Sequence, residues 1–143
     1  MRDGERLEAL QEAVGDLADA NTAAPVLVEG ERDVAALRAL GLDGELMTVH
    51  RGASLVQVAD DVARSHRSVI ILTDWDRKGG LLARRLADLL VGLGVKVDVD
   101  LRRRLARLAR GEVRTVEALP ALLSNAARRA DPGGPGEPPR APP

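Results

Sequence analysis

The stretch Val69-Ile70-Ile71-Leu72-Thr73-Asp74-Trp75-Asp76-Arg77-Lys78-Gly79-Gly80 restricts the fold more than any other part of this 143-residue chain. Four consecutive β-branched or leucine residues leave no polar position to turn toward water. They read as a strand buried on both faces, which arises where helices cover both sides of a parallel sheet. The apolar run stops at two aspartates spaced i, i+2, followed by two cations and two glycines. If the backbone is still extended there, Asp74 and Asp76 project to the same side. Carboxylates so placed repel each other unless a cation sits between them. A divalent metal is the natural candidate, because Mg²⁺ takes one or two carboxylates together with waters and phosphate oxygens.

The rest of the chain repeats the strand-then-helix pattern. Leu7, Leu10, Val14 and Leu17 recur at spacings of three and four and predict a helix over 5–20, broken by Asn21-Thr22-Ala23-Ala24-Pro25. Val26-Leu27-Val28-Glu29-Gly30 predicts a short buried strand that ends in a carboxylate and a glycine. A helix through Val34, Leu37 and Leu40 follows, with Gly41 as its stop. Residues 45–49 predict a second strand and His50-Arg51-Gly52-Ala53 a loop. Ser54 is an N-cap for a helix carrying Leu55, Val58, Ala59 and Val62. The third strand covers 68–73, and a long helix bears Leu82, Leu86, Leu89 and Leu93 on one stripe up to Gly94. Residues 95–99 form a fourth strand. Strands alternating with helices imply right-handed crossovers, hence an α/β fold of about four mostly parallel strands with helices on both faces. Active sites in such folds lie at the carboxyl ends of strands, where Glu29, Asp74 and Asp76 all fall.

Four segments are expected: a helix over 1–23 packing on the sheet, a sheet domain over 24–100, basic helices over 101–130, and a tail over 131–143. The tail holds six of the eight prolines and is expected to be disordered. In 101–130, Leu101, Leu105 and Leu108 mark a helix whose other face carries Arg102, Arg103, Arg104, Arg107 and Arg110. Thr115 can cap a last helix to about residue 130, provided Pro120 lies in its first turn.

Composition narrows the chemistry. The chain has one Trp and no Tyr, Phe or Cys. A tyrosine nucleophile, thiol catalysis, disulfides and cysteine-ligated zinc are therefore excluded. Residues 1–100 carry 12 Lys and Arg against 18 Asp and Glu, whereas 101–143 carry 9 against 4. An acidic body with a basic end suits a metal site beside an anion-binding face. His50 and His66 have no ligand spacing between them. Trp75 points away from the aspartates if the strand is extended. The charged first residues and the absence of a long apolar span predict neither signal peptide nor membrane helix, hence a cytoplasmic protein.

A strand ending Val28-Glu29-Gly30 with Asp33 three residues on, followed by a strand ending Leu72-Thr73-Asp74-Trp75-Asp76-Arg77-Lys78-Gly79, resembles the Toprim domain over roughly residues 24–100. That family includes the metal-binding domains of type IA topoisomerases, bacterial-type primases and 5S rRNA maturation endonucleases. Size and the basic end look most like the small stand-alone archaeal Toprim proteins. The resemblance implies a compact Rossmann-like fold, with Glu29 as acid/base and a metal ligand and with Asp74 and Asp76 as the metal-binding aspartates. It gives Gly30 and Gly79 as the glycines that let the backbone turn close to the site, and Asp33 as a supporting carboxylate. Two features depart from the family. Trp75 stands where many relatives have proline, and Lys78 and Gly80 occupy positions that are glutamate in topoisomerase-type members. One metal held firmly is therefore expected.

The chemistry that follows is Mg²⁺-dependent phosphoryl transfer on nucleic acid (Mn²⁺ also serving), with RNA favoured over DNA and an rRNA-maturation-like endonuclease as the leading activity. Arg77 and Lys78, just past the aspartates, and Arg103 and Arg107 on the basic helix are the expected phosphate contacts, helped by the helix N-termini after Gly30 and Gly79. Two alternatives stand beside it: a non-catalytic module that binds metal and nucleic acid, and primase-like nucleotidyl transfer with a partner. No membrane contact is expected. A protein partner supplying substrate recognition is compatible with the sequence, which leaves the oligomeric state open.

Overall fold

The computed structural model describes residues 2–49, 52–109 and 111–130. The tail over 131–143, two residues of the expected loop (His50 and Arg51) and Arg110 lie outside them. Among the described residues the chain runs α1 (Asp3–Asn21), β1 (Val26–Val28), α2 (Glu31–Ala39), β2 (Leu46–Thr48), α3 (Leu55–Ser65), β3 (Ser68–Ile71), α4 (Arg77–Gly92), β4 (Lys96–Asp98), α5 (Asp100–Leu108) and α6 (Leu119–Ala130). The four strands form one parallel sheet in the order β2-β1-β3-β4. The α/β fold expected from the sequence is the fold observed.

Every strand is two residues shorter than the span predicted for it. Pairing still extends past the formal ends: Leu72 N–H donates to Leu27 C=O at 2.8 Å and Val49 N–H to Val28 C=O at 2.9 Å. Strand alternation divides the core in two. Val26, Val28, Ile70 and Leu72 face a layer with Leu10, Leu17, Leu37, Leu105 and Leu119, drawn from α1, α2, α5 and α6. Leu27, Val69 and Ile71 face the opposite layer of Val58, Val62, Leu86 and Leu90 from α3 and α4. Leu10 and Leu17 are wholly buried, each side chain contributing about 1.5–3 kcal/mol as an upper estimate. With aromatics almost absent, aliphatic residues fill both layers.

The helix ends follow local chemistry. Ser54 caps α3, its hydroxyl accepting from Gln57 N–H while the Gln57 side chain accepts from Ser54 N–H. Gly41 and Gly94 follow α2 and α4 with φ of 97° and 82°, a left-handed conformation that glycine adopts without strain. Pro120 is the second residue of α6, where its missing N–H costs nothing. The stripe on α4 differs from the one predicted. Ala83, Leu86 and Leu90 are buried, whereas Leu93 is 47% exposed. The helix ends at Gly92, so Leu93 has left the core-facing side.

At the amino ends of the strands, Asn21 is buried and ties α1 to the sheet. Its Nδ2 donates to Ala24 C=O at 3.0 Å and Glu45 C=O at 2.9 Å, and its Oδ1 accepts from Gly44 N–H at 2.8 Å. Gly44 fits only because it lacks a side chain: a Cβ there would lie 2.1 Å from Asn21 C=O.

Candidate metal centre

The strand order places β1 and β3 side by side while their connections leave in opposite directions, to β2 on one side and toward β4 on the other. The carboxyl ends of such a pair bound a crevice in which parallel α/β sheets bind ligands. Glu29 follows β1 and Asp74 lies three residues beyond β3. They meet directly, because Asp74 N–H donates to Glu29 Oε2 at 2.8 Å across 45 positions of sequence. Glu29 is only 9% exposed and Asp33 7%.

Each carboxylate is held by a backbone amide. Asp74 Oδ1 accepts from Val116 N–H at 2.9 Å. Asp76 Oδ1 accepts from Gly79 N–H at 2.7 Å and so caps α4. Asp33 Oδ2 accepts from Gly30 N–H at 3.1 Å, at the N-cap of α2. Gly79 is packed under the loop: a Cβ would lie 1.9 Å from Asp74 C=O, and Thr73 Oγ1 donates to Gly79 C=O at 2.7 Å. Gly30 has an extended backbone and open space where a Cβ would stand.

The group carries concentrated negative charge. Burial pushes the Asp74 carboxyl up to about 6, and Glu29, Asp33 and Asp76 push the same way against the Val116 N–H. Burial also raises Asp33, with Glu29 and Glu117 adding to the effect and the Gly30 N–H opposing it. The nearest compensation is Arg102, whose Nε donates to Thr73 C=O at 3.0 Å and whose Nη2 donates to Asp74 C=O at 2.7 Å. Burial lowers the Arg102 pKa, while Asp76, Glu29 and Asp74 favour its charged form. All-oxygen donors under mutual repulsion fit a hard divalent cation. Among the described residues no three acidic or histidine side chains converge tightly enough to hold an ion unaided. The fit is therefore to a cation that takes one or two of these carboxylates and completes its shell with waters and phosphate oxygens, the habit of Mg²⁺.

Of the residues singled out by sequence, Glu29, Asp33, Asp74 and Asp76 share one electrostatic neighbourhood, and Gly30 and Gly79 adjoin it. The first turn of α4 begins at Arg77, so Gly79 lies inside the helix rather than before it. Arg77 and Lys78 are exposed and line a groove of about 490 Å³ with Leu55, Leu81, Leu82 and Arg85. The arginine face of α5 is not one surface. Arg102 turns inward, Arg104 pairs with Asp16 and Glu12 of α1, and Arg103 pairs weakly with Asp100 at 3.3 Å. Arg107 stays exposed near the end of α5 and lines neither this groove nor the α4–α5 cleft described below.

Two contributors escaped sequence reasoning. Arg102 is one of three consecutive arginines, and only the packing of Leu101 and Leu105 against the first core layer decides which one turns inward. Val116 contributes a backbone N–H, which no residue type announces. Trp75 anchors the segment that follows α5. Its ring packs against the first core layer, its Nε1–H donates to Val113 C=O at 2.7 Å, and its backbone N–H donates to Arg114 C=O at 2.9 Å. The segment 113–116 is thus clasped to the aspartate loop from both sides of Trp75.

Comparison with known proteins identifies the family. The Toprim domain family matches residues 24–103. A UPF0292 protein of Thermoplasma volcanium is 42% identical over 101 residues, spanning 71% of this chain and 83% of that one. A UPF0292 protein of Methanosarcina barkeri is 35% identical over 121 residues, 83% of each chain. A solved structure of a protein from Aquifex aeolicus superposes with a TM-score of 0.65 at 26% identity, covering 74% of this chain and 94% of that one. Toprim domains bind divalent metal ions, typically Mg²⁺, and the domain implies metal-dependent processing of nucleic acid in general. Among the described residues no helix is long and apolar enough to cross a membrane. The chain belongs to the Toprim domain family and, by its similarity to relatives along most of its length, to the UPF0292 proteins.

Proposed function

We propose that this chain is an Mg²⁺-dependent RNA endonuclease resembling the rRNA maturation enzymes, with Glu29, Asp74 and Asp76 as its working carboxylates. One observation carries the reading: Glu29 and Asp74, 45 residues apart, are joined at the carboxyl ends of the two central strands, amid charges that raise the Asp74 pKa. Perturbed carboxylates in a crevice are the mark of a working site.

Asp74 and Asp76 would hold the cation, and Glu29 would lie within reach of it. When bound, the ion supplies Lewis-acid stabilisation of charge on a phosphodiester and orients the attacking oxygen. The remaining work belongs to the protein. The Glu29 carboxylate takes a proton from the attacking water or returns one to the leaving oxygen, anchored meanwhile by the Asp74 N–H at Oε2. The Val116 and Gly79 amides fix the rotamers of Asp74 and Asp76. Arg102 draws the carbonyls of Thr73 and Asp74 toward α5 and keeps the loop in one geometry. Arg77 and Lys78, exposed beside the loop, meet phosphates that flank the reacting one.

A second reading, phosphate and metal binding without cleavage, draws support from Lys78 and Gly80 at positions that are acidic in topoisomerase-type relatives. One experiment separates the two. Purified protein is incubated with structured precursor RNA and with DNA, in Mg²⁺, in Mn²⁺ and in chelator, beside Glu29→Gln and Asp74→Asn. Metal-dependent cleavage of RNA that both substitutions abolish is the expected outcome. Metal-dependent binding without cleavage in every condition would establish the second reading instead.

A further inference from the structure

We propose that the cleft between α4 and α5 is a second phosphate site, which grips the nucleic-acid backbone at a phosphate neighbouring the one at the carboxylates. The proposal rests on the nucleic-acid reading above. The cleft has a volume of about 450 Å³ and is lined by Gly80, Ala83, Arg84, Ala87, Asp88 and Val99 together with Arg102 and Arg103. Its floor is made by small residues at i, i+3 and i+7 of α4, which form one face of the helix. Their size leaves the space open: a Cβ at Gly80 would reach only to 3.7 Å from Arg102 Nη2.

Three arginines from two helices line this space. Arginine forks suit phosphate oxygens, and cationic walls around a concave surface raise the local potential. Asp88 is the single carboxylate in the lining. It lies one turn beyond Arg84 along α4, farther from the capped end at Asp76, so the cationic half of the cleft is the half nearer the aspartate loop. Arg103 pairs with an exposed partner, Asp100, and such a pair yields to a phosphate at little cost. Arg102 joins the two sites. Two of its five N–H donors go to the carbonyls of Thr73 and Asp74, and the same guanidinium borders the cleft. A phosphate seated here would thus stand one side chain away from the aspartate loop.

The test reads binding, not turnover. Fluorescence anisotropy of a labelled structured RNA, of a labelled DNA and of labelled polyglutamate is followed against salt in chelator, for wild type, Arg84→Ala, the Arg84→Ala/Arg103→Ala pair, and Arg67→Ala as an exposed control before β3. Mg²⁺ affinity of each variant is measured separately by calorimetry with the metal alone. Each lost phosphate contact is expected to lower the slope of log affinity against log salt by about 0.7 on a single strand and about 0.9 on a duplex. The double variant should lose twice as much as the single, with Mg²⁺ affinity and the Arg67 control unchanged. Wild type that binds RNA with a slope untouched in the double variant would overturn the cleft and leave the nucleic-acid reading intact. Wild type that binds neither RNA nor DNA would overturn both. Capture of polyglutamate instead of nucleic acid, lost in the double variant, would make the cleft a dock for an acidic protein and overturn the proposal.

Discussion

The two ends of this sheet are built alike and behave differently. At the amino ends of the strands, Asn21 makes three hydrogen bonds to backbone and Gly44 sits against a carbonyl with no room for a side chain. At the carboxyl ends, Glu29, Asp74 and Asp76 accept backbone N–H groups, and Gly79 sits against a carbonyl in the same manner. The neutral amide satisfies its neighbours as both donor and acceptor. The carboxylates only accept, so they leave a net charge whose burial works against the fold. A polar knot that answers all its own bonds stabilises; one that leaves charge uncompensated waits for a ligand.

The comparison can be broken most easily by activity. Glu29→Gln is expected to lower metal-dependent RNA cleavage by about 10²–10⁴-fold, the range of a general acid/base, and Asp74→Asn to abolish Mg²⁺ binding. Neither should lower the melting temperature measured in chelator. A comparable loss of activity per folded molecule in Asn21→Ala would erase the distinction between the ends. The paired glycines give the next largest effect. Gly79→Ala and Gly44→Ala each force a Cβ onto a backbone carbonyl and should each cost about 3 kcal/mol in denaturant unfolding. Only Gly79→Ala should also weaken Mg²⁺ binding, because it displaces the carbonyl of Asp74 and the cap from Asp76. Asn21→Ala leaves the Ala24 C=O and the Gly44 N–H without their partner, while Glu45 C=O keeps the Val26 N–H; it should cost about 2 kcal/mol, with calorimetric Mg²⁺ affinity unchanged.

The smallest effect is on pH dependence in chelator. The folded-state pKa of Asp74, about 6, lies above its ordinary 3.8, so the folded protein holds this proton more tightly than the unfolded chain. The resulting stability is complete below the unfolded value and is lost as pH rises through about 6. Urea unfolding at pH 5 and 7.5 should therefore show Asp74→Asn gaining on wild type at the higher pH, on the order of 1 kcal/mol after solvent screening. No change in the gap would mean that the carboxylates are not electrostatically crowded.

What could be read from sequence was whatever an apolar run announces by stopping. Val26–Val28 and Val69–Leu72 declare central strands, and the first carboxylates after them, Glu29 and Asp74, had to emerge at the same sheet edge once the strands were parallel. The capping residue Ser54 and the stops at Gly41 and Gly94 were legible for local reasons, since each acts on backbone within a few positions. Long-range docking was not. Whether Arg102, Arg103 or Arg104 faces the aspartates depends on how Leu101 and Leu105 seat α5 against the first core layer, and three identical side chains in a row give no sign of it. The α4 stripe was misread at Leu93 because the helix stops just before the period would have brought that residue back to the core.

The clasp between the aspartate loop and residues 113–116 bears on the order in which the chain is made. Glu29 and Asp74 can come together as soon as β1 and β3 have been synthesised, yet the amide that fixes Asp74 belongs to Val116, 42 residues later, and the guanidinium that steadies its carbonyl belongs to Arg102. Until that segment is made, the Asp74 carboxylate lacks the amide that holds it in the folded protein. The carboxylates become a site only when the segment after α5 has arrived and closed over Trp75. The centre is thus complete only with chain from beyond the sheet, 42 positions from the aspartate it holds.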